Sequence, residues 1–432
     1  MEDSPTNSKQ TSDCNSDVIP LNQRQPWHVP AFIFGGLEFC IPVLLIGGIL
    51  IGNFSLLEIV GILMIALVFF QWIGNAIQGY IGAKTGLTSS ALAALSFGKE
   101  QSRIIVGIVI LALTLGWWAI QTSVAADAFS ALVGINKNDD TFLYVLSTAL
   151  IGILFAIPSI LGYGSIKWVD YVAIPAGLLL VTVALYLSIN NMGWETMAAW
   201  NPEGSMSFVE AINLVISINV AQWLIAPDYT RFAKPTWRDN ILIPLGIIIV
   251  GFPLFIVGGI MSMGTGNSDI VQVMQELGFP AWGFVVLWVA TWTSQLVSNY
   301  TGGLVLCNMF NLHSDKSRKI MTLLFALAGI ILALLGIMDQ FVNFLYAIAL
   351  IVPVIAGVIM AHFFFVDKTE VTTNQSWNWL ATASILVGLI VGYITQYPFP
   401  IGFPAVQSLA ISGILYALLT NIKKTKLIEK NI

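Results

Sequence analysis

Charge is what this chain has least of. Asp, Glu, Lys and Arg make up 9% of its 432 residues, where a soluble domain carries about 25%. Together with 57% hydrophobic residues and a mean hydropathy of +0.83, that scarcity excludes a water-soluble globule. Cysteine is scarce too: Cys14, Cys40 and Cys307 offer neither a disulfide framework nor the paired spacing of a zinc site. The three histidines, His28, His313 and His362, stand at the ends of apolar runs or in loops. No H-E-x-x-H, P-loop or G-x-S-x-G element occurs, which removes metalloprotease, ATP-driven and hydrolase chemistry, and no buried histidine pair suggests haem. Residues 1–28 are polar and lack the pattern of a cleavable signal, so they read as a flexible cytoplasmic tail.

Long apolar runs fill the rest. Each is near the roughly 20 residues that cross a bilayer core as a helix. Twelve helices are predicted, at 29–52, 55–82, 103–132, 142–163, 167–190, 207–228, 239–263, 280–308, 319–337, 339–365, 377–396 and 403–421. The fold class is therefore an all-α polytopic membrane protein, with the lipid bilayer as its surroundings and no nucleic acid or obligatory protein partner indicated.

The loops test that count. An even number of spans puts both termini on one side, where Lys and Arg should concentrate. Lys9 and Arg24, Lys84, Lys99 and Arg103, Lys167, Arg231, Lys234 and Arg238, Lys316, Arg318 and Lys319, Lys368, and the C-terminal Lys423, Lys424, Lys426 and Lys430 all fall on that side. Of 18 basic residues only Lys137 falls opposite, among Asp139, Asp140, Glu195, Glu203, Asp269 and Glu276. Both termini are predicted to be cytoplasmic, in a cell (inner) membrane.

Two landmarks recur at matched places. The first span carries Gly35, Gly36 and Pro42 in mid-membrane, and the sixth carries Ser217, Asn219 and Gln222 with Pro227. The fifth has Pro175 and Gly177, the tenth Pro353 and Gly357. Transporters of this size often contain inverted repeats whose first helices are broken around a binding site. The predicted division is 29–190 for one repeat, 207–365 for the other, 377–421 for two appended helices and 422–432 for a basic tail. Glycine that only packs helices and proline that only kinks them is the plainer reading of each segment alone.

Three polar groupings stand inside apolar runs. Glu38 lies about ten residues into the first span, where a charge costs on the order of 2.5–3.5 kcal/mol; it is read either as a cation or proton site or as a neutral acid bonded to its own broken helix. In the third span Trp117 and Gln121 share a helix face, a plane for a ring beside an amide for its edge, although tryptophan in a membrane helix is more often an anchor or packing residue. Trp118 points elsewhere. In the eighth span Thr291, Thr293 and Ser294 bring hydroxyls suited to an alkali cation, while Gln295 and Asn299 lie one turn apart. Hydroxyls in such helices commonly bond back to their own carbonyls. Asp228 and Arg231 read as a gate or a structural ion pair.

The run from Gly79 to Thr88, then Ser96-Phe97-Gly98, Gly116-Trp117, Pro227-Asp228-Tyr229-Thr230-Arg231-Phe232 and Trp292-Thr293-Ser294, resembles the bacterial cytosine permeases and places the chain in the nucleobase–cation symporter family one. The resemblance implies the leucine-transporter fold, a five-plus-five inverted repeat plus two helices with helices one and six broken, and cation-coupled uptake of nucleobases or related rings. It implies a sodium ion, as coupling ion, on the carbonyls of Gly36, Phe39 and Ala290 and the hydroxyls of Thr293 and Ser294. It implies a substrate site among Trp117, Cys40, Asn219, Trp223, Gln295 and Asn299, to which the helix-face argument adds Gln121. Thr114, Asn219 and Cys40 depart from the family pattern, and Glu38 adds a carboxylate that the pattern does not require. Two carriers follow: a sodium-coupled importer of a nucleobase-like heterocycle such as cytosine, or a proton- or sodium-coupled carrier of a cationic amine or thiamine-related compound that uses Glu38. A channel or receptor lacks its usual charge rings or filter repeats, and no enzyme chemistry is indicated.

Overall fold

The computed structural model describes residues 18–263, 265, 267–279, 281–312, 314–366 and 376–431, with side chains described at all of these except 163–176, 290, 291, 293 and 426–431. The fold is all-helical, and a helix lies on every predicted apolar run. Helices α1 (His28–Glu38) and α2 (Ile41–Ile51) share the first run. They are followed by α3 (Leu56–Thr85), the short α4 (Ser89–Phe97), α5 (Lys99–Val133), α6 (Thr141–Leu161) and α7 (Tyr163–Met192). Helices α8 (Phe208–Asn219) and α9 (Gln222–Thr230) share the sixth run. Next come α10 (Trp237–Ser262), the short α11 (Ile270–Glu276), α12 (Ala281–Met309), α13 (Asp315–Leu334), α14 (Ile337–Val366), α15 (Trp379–Gln396) and α16 (Pro404–Asn431). Among the described residues nine helices are long and apolar enough to cross a membrane, or ten if the bent α1–α2 pair is one span; α7 and α12 contain residues outside that set.

Helix ends follow local chemistry. Ser55 and Glu58 close a capping box at the start of α3, and Ser207, Asp269, Ser314 and Asn378 accept backbone N–H groups at other starts, which satisfies donors that a first turn leaves free. Gly86 ends α3 in the left-handed region at φ 74°, a conformation that glycine adopts without penalty.

Burial orders the bundle. In their most apolar windows, 78% of α14 and 72% of the α8–α9 span are buried, against 28% for α15 and α16. The sixth and tenth runs are central, and the last two helices stand at the edge. A separate apolar cluster joins α5, α6 and α13 through Trp118, Phe155 and Phe325.

The first run breaks at Phe39 and Cys40, not at the glycines. Phe39 has ψ 72° and Cys40 is extended at φ −137°, ψ 149°, and the two halves meet at 60°. Pro42 has no N–H to give the carbonyl of Glu38 four residues back. Cys40 N–H takes that carbonyl instead, at 2.7 Å, and Pro42 sits in the first turn of α2, where proline is favoured. Gly35 is helical and serves packing: a Cβ there would lie 3.1 Å from Val250 and 3.3 Å from the Gly246 carbonyl of α10. The plainer reading of that glycine is the right one.

The sixth run is interrupted less. Val220 and Ala221 separate α8 from α9 while keeping right-handed helical angles, and Trp223 and Leu224 donate three residues back, so the backbone tightens and does not unwind. Pro227 lies inside α9. Pro353 lies inside α14, and Pro175 falls outside the described side chains.

The expected flexible tail is corrected over residues 18–28. Ile19 N–H bonds the Gly86 carbonyl, and Gln25 pairs with Phe232 and Lys234 across an isolated bridge to Ala233. Arg24 donates from Nη1 to the carbonyls of Ala83 and Arg231. These bonds fasten the segment to the ends of α3 and α9. Burial lowers the Arg24 guanidinium's proton affinity from its ordinary value.

Candidate functional site

Glu38 ends α1 and is 1% exposed. Its Oε1 accepts from Gln222 Nε2 of α9 at 2.8 Å. Its Oε2 has no hydrogen-bond partner among the described residues and lies against α10, where a Cβ added to Gly251 would sit 2.8 Å away. Asn219, at the end of α8, neighbours the same carboxyl. The breaks of the first and sixth runs therefore meet side chain to side chain.

The break of the sixth run has a second neighbour that sequence reasoning missed. Gln71 of α3 is fully buried and donates from Nε2 to the Ile216 carbonyl at 2.9 Å. That is the carbonyl which Val220 N–H would take in an unbroken helix. Asn75, one turn on, donates to the carbonyl and side-chain oxygen of Gln71. The available signal was Gln71, Asn75 and Gln78 recurring at helical spacing inside an apolar run.

Between α5 and α12 lies the other polar seam. Ser294 Oγ donates to Gln121 Oε1 at 2.9 Å, which joins the hydroxyl expected at a cation to the amide expected at a ring. Gln295 Nε2 donates to Thr122 Oγ1 at 2.5 Å and reaches the Trp118 carbonyl at 3.5 Å. Asn299 Nδ2 donates to Ser159 Oγ of α6 at 2.6 Å. Gln295 and Asn299 are fully buried in these helix–helix contacts, each with a side-chain oxygen still unpaired.

The other expected ligand residues make separate contacts among the described residues. Trp117 stands edge-to-face with Phe344 and Phe341 of α14, at centroid distances of 5.7 and 6.4 Å. Trp223 packs on α3, where a Cβ at Gly74 would lie 2.4 Å from its Nε1. Cys40 lines a small apolar crevice with Phe39, Leu44, Leu180 and Leu254. Trp118, read as pointing away from the Trp117 face, is buried, and its Nε1 donates to the Ala326 carbonyl at 3.1 Å.

For an alkali ion, Gly36, Phe39 and Ser294 bring the hard oxygen donors such a cation takes. Phe39 lies in the break, beyond the last helical residue of α1, while the Gly36 carbonyl also accepts Phe39 N–H at 3.2 Å. The side chains of Ala290 and Thr293 lie outside the described residues. These three fit the ion's chemistry, and no cluster of three or more His, Cys, Asp or Glu suited to a metal occurs among the described residues.

Asp228 and Arg231 are not a direct ion pair. Asp228 Oδ1 accepts the backbone N–H of Ser89 at 2.9 Å, at the first residue of α4, where a carboxylate meets the positive end of a helix. Arg231 lies 4.8 Å over the Phe232 ring.

Residues 22–413 match the family described as a permease for cytosine/purines, uracil, thiamine, allantoin. The chain is 24% identical to the cytosine permease of Escherichia coli K12 over 426 residues, covering 96% of this chain and 97% of the relative. It is 23% identical to the allantoin permease of Bacillus subtilis 168 over 437 residues, covering 89% and 87%. Among solved structures, the inward-facing conformation of Mhp1 superposes with a TM-score of 0.77 at 16% identity, covering 96% of each chain. An outward-open Na+-coupled sialic acid symporter gives a TM-score of 0.68 at 13% identity, covering 96% of this chain and 93% of the other. A family match over residues 22–413, an all-helical fold shared with transporters and several membrane-length apolar helices lead to one assignment: the chain belongs to the cytosine/purine permease family and is a multi-pass membrane transporter, not an enzyme.

Proposed function

We propose that this chain is a sodium-coupled importer of a nucleobase or related heterocycle such as cytosine, working by alternating access. The observation that carries the reading is the hydrogen bond from Ser294 to Gln121. Ser294 belongs to the hydroxyl pair suited to sodium, and Gln121 is the amide one turn from Trp117 that reads a ring edge. A cation on Ser294 turns the hydroxyl proton toward Gln121 and fixes which edge of the amide the substrate meets. Ion and substrate are thereby linked, and each raises the affinity of the other.

The reading includes twelve spans, with α7 and α12 among them, two repeats over 29–190 and 207–365, helices α15 and α16 appended, and both termini on the cytoplasmic face of the cell membrane. The concentration of Lys and Arg on one side supports that orientation. Trp117, Gln121, Cys40, Asn219 and Glu38 are the substrate-facing set, while Gln295, Asn299 and Trp223 support the helices that carry it. Glu38 as counter-charge to a cationic compound is the second reading, favoured by its unpaired Oε2.

The test is a thermal-shift screen of the purified protein against nucleobases, hydantoins, allantoin, thiamine precursors and amines, each in sodium and in potassium. A ligand of the folded state raises apparent stability with the logarithm of its concentration over its dissociation constant. A sodium-dependent shift with a neutral ring supports the proposal. Shifts with cationic compounds alone, indifferent to sodium, overturn it in favour of the second reading.

A further inference from the structure

One guanidinium nitrogen draws two lysines together at the end of α3. Arg24 Nη1 donates to the Ala83 carbonyl at 2.9 Å and reaches the Ala233 carbonyl at 3.4 Å, so the backbone at 83 lies close to the backbone at 233. Lys84 follows the first carbonyl and Lys234 the second, and both side chains are exposed. Arg238, in the first turn of α10, is exposed as well. Among the described residues none of the three is in a salt bridge. Asp239, the acid next to Arg238, accepts instead from the hydroxyl of Thr236, its own helix cap.

An aromatic stack adjoins these cations. Tyr80, one turn before Lys84, and Trp237, next to Arg238, lie parallel to within 8° with centroids 3.9 Å apart, and Trp237 is 44% exposed. From this stack two apolar stripes run into the membrane. Ile73 lies two turns back from Tyr80 on the same face of α3, and Ile241 lies one turn on from Trp237 along α10; both are exposed. Trp72 Nε1 donates to the Ile241 carbonyl at 2.6 Å, which keeps the two helices side by side along this length. Exposed apolar residues of a membrane helix face lipid, and tryptophan and tyrosine at its end sit at headgroup level. Lysine stems lie along such surfaces with their charge at the interface.

We propose that Lys84, Lys234 and Arg238 hold the headgroup of an anionic phospholipid whose acyl chain lies along Ile73 and Ile241. Charge complementarity selects this occupant: three cations without acidic partners stand at the head of a two-helix apolar face, as a phosphate stands at the head of a hydrocarbon chain. Arg238 offers a planar fork to phosphate oxygens, and the two lysines act as point charges. Basic residues beside a membrane surface draw anionic lipids in this way. The headgroup bridges the end of α3, the segment after α9 and the start of α10, so its binding ties three parts of the bundle together. The inference goes beyond the carrier reading and shares with it only the membrane setting.

The deciding experiment titrates delipidated, purified full-length protein in a neutral detergent with phosphatidylglycerol and, separately, with phosphatidylcholine, following thermal stability. Phosphatidylglycerol should stabilise the native protein with a midpoint at least tenfold lower than phosphatidylcholine. The triple variant K84Q/K234Q/R238Q should raise the phosphatidylglycerol midpoint at least tenfold and leave the phosphatidylcholine midpoint in place. A control variant, K99Q/K316Q/K423Q, removes three other exposed lysines and should leave both midpoints within twofold of native. Equal midpoints for the two lipids overturn the proposal, as does a triple variant within twofold of native. A control that shifts as far as the triple variant also overturns it, because net charge alone then explains the effect. Inorganic phosphate that stabilises the native protein and loses its effect in the triple variant assigns the cluster to a free anion and overturns the lipid. If the triple variant does not elute as a folded species, Arg238→Gln alone must raise the phosphatidylglycerol midpoint at least threefold, and its constancy overturns the proposal.

Discussion

Gln71 of α3 and Ile216 of α8 are 145 residues apart and joined by a 2.9 Å hydrogen bond from the side-chain amide of one to the backbone carbonyl of the other. A helix interrupted in a membrane leaves carbonyls that lipid cannot satisfy, and here a neighbouring helix supplies the donor. The interruption of the sixth run is thus specified from outside that run.

Gln71→Leu should therefore destabilise the protein by about 1–3 kcal/mol, the cost of leaving a buried acceptor unpaired. Gln71→Glu should cost more, since it turns an acceptor toward an acceptor. Melting of the purified variants measures this, and a Q71L variant as stable and active as the native protein would show that the bond does not hold the break.

Glycines of α1 and α10 separate by what a methyl group meets. At Gly246 a Cβ would lie 1.9 Å from the Ala31 carbonyl, while at Gly36 nothing lies within 4 Å. Gly246→Ala should force α1 away from α10 and abolish the folded peak in size exclusion. Gly36→Ala keeps the backbone carbonyl proposed for sodium, so it should fold and retain sodium dependence. Equal behaviour of the two would refute the close α1–α10 contact.

Asp228 is placed as a helix cap and not as half of an ion pair. Asp228→Ala should lose about 0.5–2 kcal/mol, the usual cost of losing a cap, and Asp228→Asn should lose less because an amide oxygen remains to accept Ser89 N–H. A double-mutant cycle with Arg231→Ala should give a coupling below the roughly 3–5 kcal/mol lost when a direct buried salt bridge is broken, because the two charges interact without a direct bond. A coupling of several kcal/mol would restore the ion-pair reading.

What was legible in the sequence follows the range of the forces concerned. Apolar runs report their own partition into lipid, so every predicted run carries a helix, and Glu38 stood out because charge in such a run is costly by itself. The exact site of the first break was less legible: Gly35, Gly36 and Pro42 all marked the run, and of these it is the missing N–H of Pro42 that sets the break at Phe39 and Cys40. Least legible was which helix each amide faces. Gln295 and Asn299 share one face of α12, but sequence spacing does not say that Thr122 and Ser159 wait there. Trp223 likewise found Gly74 of a helix some 150 residues earlier.

Trp117 is where packing and binding must be told apart by experiment. Its edge-to-face contacts with Phe344 and Phe341 are each worth about 0.5–1.5 kcal/mol beyond buried area, so some stability is lost on any truncation. Stacking of a base on an aromatic ring adds about 1–3 kcal/mol to binding, roughly a five- to 150-fold change in affinity. Trp117→Ala should thus lower both melting temperature and substrate affinity, while Trp117→Phe should recover most of the affinity, because a ring face remains, with stability still below native. Binding and melting measured on the same preparations separate the two effects. Affinity unchanged in the alanine variant, with only the melting temperature reduced, would assign Trp117 to packing and move the ring-reading role to Gln121 alone.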